Sequence, residues 1–114
     1  MLFVYLQYKF SLYCYAGDLP LCSDAVKRLR RIKGRVIQNM DASTELLAYL
    51  YQEHVIGKTD YSRLRSELDM TSRNAMLMDI ITRGSERHFA CFCRCLSYDD
   101  VNQAYLVHWL QKGN

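Results

Sequence analysis

After Pro20 no proline interrupts the chain, so its remaining 94 residues contain nothing that forces a helix to break. Apolar residues in that run recur every three or four positions, and no part of it alternates with period two over a useful length. The spacing predicts six short helices. Ser23 or Asp24 can cap the first, which carries Val26, Leu29, Ile32, Val36, Ile37 and Met40 along one side. Gly34 falls in its middle, where glycine costs about 1 kcal/mol against alanine, and a kink is expected there. Asp41 to Ser43 turns the chain into a second helix, Thr44 to about Val55, presenting Leu46, Leu47 and Leu50. Gly57 stops it, and Thr59 caps a third with Tyr61, Leu64 and Leu68 on one side. Thr71 or Ser72 starts the fourth, with Met76, Leu77 and Ile80 buried. Ser97 or Asp99 opens the sixth, where Val101, Ala104, Leu106, Trp109 and Leu110 are apolar. Short helices with short connections predict an all-α, antiparallel bundle.

The fifth helix is the one the others must cover. In Thr82–Leu96, TRGSERHFACFCRCL, Gly84 can take the left-handed conformation that ends a helix, and Ser85 can cap the next. Glu86 suits the positive end of the new dipole. Phe89, Phe92 and Leu96 then form one stripe, with Cys93 beside it and Arg94 pointing away. The expected core joins Phe89, Phe92 and Leu96 to Leu50, Leu64 and Ile80.

Composition is ordinary for a single folded domain, with 50% hydrophobic and 24% charged residues in 114. Three of the five cysteines crowd into Cys91-x-Cys93-x-Cys95, a spacing on one helix that cannot pair off as bridges; reduced thiols inside the cell follow. Residues 1–22 read as a separate N-terminal extension. Its six-residue apolar run before Gln7 lacks a preceding basic region and is too short to span a membrane. Its four tyrosines among the first fifteen residues suit a strand-like or disordered arm.

Charge is distributed unevenly although the net value is only +3. From Asp24 to Met40, Lys27, Arg28, Arg30, Arg31, Lys33 and Arg35 face one acid, Asp24. From Asp41 to Asp69, six acids outnumber Lys58, Arg63 and Arg65. Opposite patches on different faces favour head-to-tail contact, which grows a filament when it does not close. Three other chemistries compete with docking. His88, Cys91 and Cys95 lie near one another on a helix and could bind zinc, with His54, His108 or Cys22 as distant partners. A cysteine nucleophile with a histidine base lacks an orienting third residue and an oxyanion site. A small helical nucleic-acid-binding domain could use the basic first helix, although Leu29, Ile32 and Val36 bury part of that run.

LRRIKGRVIQNM, ELLAYLYQEHVIGKTDYSRL and ITRGSERHFACFCRCL, in this order along six helices, resemble the caspase recruitment domain (CARD) of the death-fold superfamily over residues 23–112. The spacing from Arg83-Gly84 to Phe89, Phe92 and Leu96 is most similar to the prodomains of initiator caspases. The resemblance implies a Greek-key-like six-helix bundle with no active site, cofactor or metal. It implies binding to other domains of the same fold, in a caspase prodomain or adaptor, or head-to-tail self-association. The consequence would be to recruit, cluster or block an initiator caspase in apoptotic or inflammatory signalling in the cytoplasm, without nucleic acid or membrane. It also implies a basic face on the first and fourth helices, here Lys27, Arg30, Arg31, Lys33, Arg35 and Arg73, which docks on an acidic face of the second and third. The acidic face is here Asp41, Glu45, Glu53 and Asp60. The chain is expected to be either a piece or isoform of a longer caspase or adaptor, or a free-standing competitor for the same partners.

Overall fold

A computed structural model describes residues 19–113, and the tyrosine-rich arm lies outside the described residues. Six helices follow Pro20: α1 (Ser23–Asn39), α2 (Thr44–Gln52), α3 (Lys58–Ser66), α4 (Met70–Thr82), α5 (Glu86–Leu96) and α6 (Tyr105–Lys112). Among the described residues there is no strand, only a single antiparallel bridge between Pro20 and Ser85. α1 packs on α4 and α6, α2 on α3 and α5, and α5 also on α4 and α6. The fifth helix is therefore covered from three directions, as its content requires. From Phe89 onward it buries Ala90, Cys91, Phe92, Cys93, Cys95 and Leu96, so its apolar surface is wider than one stripe.

Its entry is fixed by a capping box. Ser85 Oγ accepts the His88 N–H at 3.2 Å, and the Ser85 N–H donates back to His88 Nδ1 at 3.3 Å. Gly84 serves this corner differently from the expectation: it is not left-handed. The folded-back imidazole explains the glycine, because a Cβ there would stand 3.0 Å from His88 Nδ1. Leu19 to Cys22 straps across the same corner. The Glu86 N–H donates to Leu19 O at 2.8 Å, the Cys22 N–H donates to Glu86 Oε1 at 3.2 Å, and Leu21 is buried. Between this strap and Gln111–Lys112 lies a cavity of about 400 Å³, walled by Phe89 and Cys93.

The caps and boundaries differ from the sequence reading in ways that have local causes. Cys22, not Ser23 or Asp24, caps α1, its Sγ accepting the Ala25 N–H at 3.4 Å. The helix then runs unbroken through Gly34, which is exposed. α2 stops at Gln52 rather than Val55 because His54 takes the left-handed φ of 61° and reverses the chain. Gly57 caps α3 in place of Thr59, and Asp69 caps α4 in place of Thr71 or Ser72. α6 begins only at Tyr105, after a turn in which Asn102 has φ 56°. In α4 the buried face is Asn74, Leu77, Met78 and Ile81, while Met76 and Ile80 are half-buried. The buried stripe thus runs through Asn74, Leu77 and Ile81, and Met76 and Ile80 pack at its edge. Leu68 lies past the end of α3 and is 90% exposed.

That asparagine holds the α1–α2 connection. Asn74 Oδ1 accepts the Ala42 N–H at 3.0 Å, and its Nδ2 donates to Ile37 O at 2.9 Å and Met40 O at 2.6 Å. Gln103, also buried, clamps the same loop: Oε1 accepts the Asp41 N–H at 2.8 Å, and Nε2 donates to Asp41 O at 2.7 Å. Both buried amides are thereby satisfied.

Candidate docking surfaces

α1 buries Ala25, Leu29, Ile32 and Val36 and turns a basic arc to solvent. The arc splits between two flanks. On the side of α4, Lys33 forms an ion pair with Asp79. Arg30, Lys33, Asp79, Thr82 and Arg83 line an open hollow of about 380 Å³ there. Three cations and one carboxylate leave the hollow basic. On the side of α6, Arg35 lies over the Trp109 ring, its guanidinium carbon 4.0 Å from the centroid. Arg31 and Arg28 pack against Gly113, whose φ of 77° and lack of a Cβ let the end of α6 approach α1. Arg28 Nε also donates to Leu110 O at 3.0 Å, at the carbonyl-rich end of α6. Lys27 is exposed along the middle of the arc.

Arg73 is turned inward instead. Its Nε and Nη2 donate to Glu67 O at 3.0 and 2.7 Å, and its Nη1 donates to Ala42 O at 3.0 Å. These bonds brace the α3–α4 connection against the α1–α2 loop, so the structure separates Arg73 from the other cations of its group. The cation that α4 does contribute beside α1 is Arg83. Its position one turn after Asp79, at the end of the helix, was the available signal, since those two side chains share a face.

The carboxylates also differ among themselves. Asp41 and Glu45 are exposed near the start of α2. Glu53 is half-buried and meets Arg94 of α5 at 3.1 Å, while Arg87 donates twice to the Glu53 carbonyl, at 3.1 and 2.9 Å. Asp60 is 3.8 Å from Arg63 one turn on. Tyr51 and Tyr61 stack between α2 and α3 with ring centroids 4.7 Å apart. Arg94 thus reaches across to α2 rather than into solvent.

The thiols are placed for packing. Cys91, Cys93 and Cys95 are buried and Cys22 is exposed, and among the described residues no disulfide joins them. Burial pushes the Cys95 thiol up to about 12, with the Arg94 charge opposing the shift, and pushes Cys93 up as well. A nucleophile needs the opposite shift. Among the described residues, no three His, Cys, Asp or Glu side chains gather as a metal site. Successive alternate positions of α5 point about 200° apart, and His88 Nδ1 is engaged at the corner. Among the described residues, no helix is long and apolar enough to cross a membrane.

Compared with known families, residues 26–113 match the model of the caspase recruitment domain. No curated protein and no solved structure matches the chain.

Proposed function

Because the chain belongs to the caspase recruitment domain family, we propose that its homotypic interaction surface is the hollow between α1 and α4, and that its partner is the matching domain of an initiator caspase or adaptor. The observation that carries this reading is the convergence of Arg30, Lys33 and Arg83 on one open hollow. Converging cations attract an acidic partner surface and set its register, and a mismatched partner meets like charge. Asp79 orients Lys33 within the set. The chemistry is non-covalent, with no catalytic residue, cofactor or metal. Residues 23–112 act as the domain, in the cytoplasm, clustering or blocking the caspase in apoptotic or inflammatory signalling. Asp41 and Glu45, the exposed carboxylates, offer the complementary face, so copies of the chain can also add head to tail. Glu53 and Asp60 contribute less to that face because each has a cation within 4 Å. The family match gives no support to the nucleic-acid alternative.

The test is binding to purified caspase recruitment domains of initiator caspases and adaptors. Arg30→Glu with Arg83→Glu changes the hollow by four charge units while leaving the Lys33–Asp79 pair in place. Exposed charges away from the core usually change stability by about ±0.5 kcal/mol, so the variant should fold. Partner affinity is expected to fall at least tenfold, and salt should weaken the wild-type complex. A folded variant that binds the same partner at wild-type affinity refutes the hollow as the docking face.

A further inference from the structure

From the middle of its arc to the flank that faces α6, α1 carries a second set of cations that the hollow does not use. Lys27, Arg31 and Arg35 follow one another at four-residue intervals, one turn apart along a single face. Asp24 is the one acid of α1, and α6 has none. Lys33 and Arg28 are engaged by Asp79 and Leu110 O, whereas among the described residues no ion pair involves Lys27, Arg31 or Arg35. The row ends on an aromatic anchor. The Arg35 guanidinium sits over the Trp109 ring, Tyr105 meets the same indole edge-on at 5.8 Å, and the Tyr105 hydroxyl donates to Asn39 O at 2.7 Å. The cation–π contact restrains the Arg35 side chain before anything binds, which lowers the ordering cost of a contact to a carboxylate. Trp, Tyr and Arg are the residues in which interface energy concentrates.

We propose that Lys27, Arg31 and Arg35, anchored by Trp109, form a second docking surface, which takes an extended acidic segment of a partner protein. The spacing specifies the occupant. Four residues of helix advance about 6 Å. Two residues of an extended chain advance about 6.6–6.8 Å, and alternate side chains point the same way. Carboxylates at every second position of an extended segment therefore meet successive cations with less than about 1 Å of drift per step, which long side chains absorb. Single-stranded nucleic acid fits less well, since it needs open aromatic faces on which bases stack. Here Arg35 already covers one face of Trp109, and Tyr105 is held by Asn39. The surface runs from the middle of the α1 arc to the flank that faces α6, away from the hollow of Arg30 and Lys33, so one domain can hold two partners at once.

Trp109 is the single tryptophan, so its fluorescence reports on this surface directly. The probe is a twelve-residue peptide of alternating Glu and Ser, titrated into the full chain. A saturable change in Trp109 emission is expected, with affinity lost at least tenfold in Arg31→Ala with Arg35→Ala. In Arg30→Glu with Arg83→Glu it should change less than threefold, which separates this surface from the hollow. Lys27→Ala with Arg31→Ala leaves the Trp109 stack intact and should also lose at least fivefold; it decides the matter if the first variant unfolds. No saturable change, an equal loss in the hollow variant, or no loss in the Lys27 and Arg31 variant overturns the proposal. Tighter binding by a dodecamer of thymidylate or by phosphatidylserine vesicles overturns it as well, because the row would then read phosphate.

Discussion

Replacing Asn74 should cost this domain more than its one polar side chain suggests. The amide makes three hydrogen bonds, one to Ile37 O at the end of α1 and two to the α1–α2 connection, and the latter partners, the Ala42 N–H and the Met40 carbonyl, meet it in buried positions. In Asn74→Ala both lose their partner. Each buried orphan costs about 1–3 kcal/mol, so the variant should lose about 2–6 kcal/mol, less if water enters the space. That is a large part of the about 5–15 kcal/mol available to a domain. Asn74→Asp gives a sharper test, since it keeps shape and volume. One carboxylate oxygen can still accept from Ala42, but the other faces the Ile37 and Met40 carbonyls, which only a donor satisfies. The introduced carboxyl should therefore hold its proton in the folded state, with a folded pKa above the unfolded value of about 3.9. The sign follows: the variant is most stable below that unfolded value and loses stability as pH rises through the folded one. Urea unfolding followed by Trp109 emission and circular dichroism at pH 5, 6, 7 and 8 measures both effects. A loss under about 1 kcal/mol in Asn74→Ala, or a pH-independent penalty in Asn74→Asp, would refute the role assigned to this amide.

Phe92 is wholly buried at the centre of α5, so Phe92→Ala should cost about 3–5 kcal/mol; an unmoved melting curve would remove α5 from the centre of the core. Alkylation with N-ethylmaleimide should label Cys22 readily and reach Cys91, Cys93 and Cys95 only in denaturant, as mass spectrometry of peptides will report. Because burial raises the Cys93 and Cys95 thiols, the unfolded chain releases protons first; stability should be full below about pH 8.5 and fall as pH rises above it. Cys93→Ala with Cys95→Ala should flatten that decline, and an unchanged slope would assign it to other groups.

How much of this was legible in the sequence depended on whether one residue or several carried the signal. The six helices and the placement of Leu29, Leu50, Leu64, Phe92 and Leu96 in the core followed from periodicity, which many residues repeat. The family follows from the match over residues 26–113. Helix ends were harder, because single residues set them and the alternatives are chemically close. His54 and Asn102 do by positive φ what glycine usually does, and Cys22 caps where Ser23 was nearer to type. Ile80 is half-buried at the edge of the core rather than within it, while Asn74 holds a place in the buried stripe of α4. A buried asparagine cannot be told from a surface one until its carbonyl partners are known. The same limit applied to Arg73, whose partners are backbone atoms 6 and 31 residues away. Charge counting in a sequence cannot separate a guanidinium that braces two loops from one that faces solvent.

The strap at Leu19–Cys22 and the end of α6 meet across one cavity, with Leu21 and Cys22 on one wall and Gln111 and Lys112 on another. Chain enters and leaves this bundle at the same pole. A fold with adjacent ends can be cut and rejoined, or set into a loop of a host protein, without stretching any of its helices. A short glycine-serine joint from residue 113 to residue 19, with a new opening between the exposed Leu68 and Asp69, would give a circular permutant with the same six helices. Fusion partners joined directly at residue 19 and at residue 113 would crowd the same patch of surface. The α1–α4 hollow is lined by residues from Arg30 to Arg83 and by none from the joined ends, so it would be carried through such a rearrangement whole.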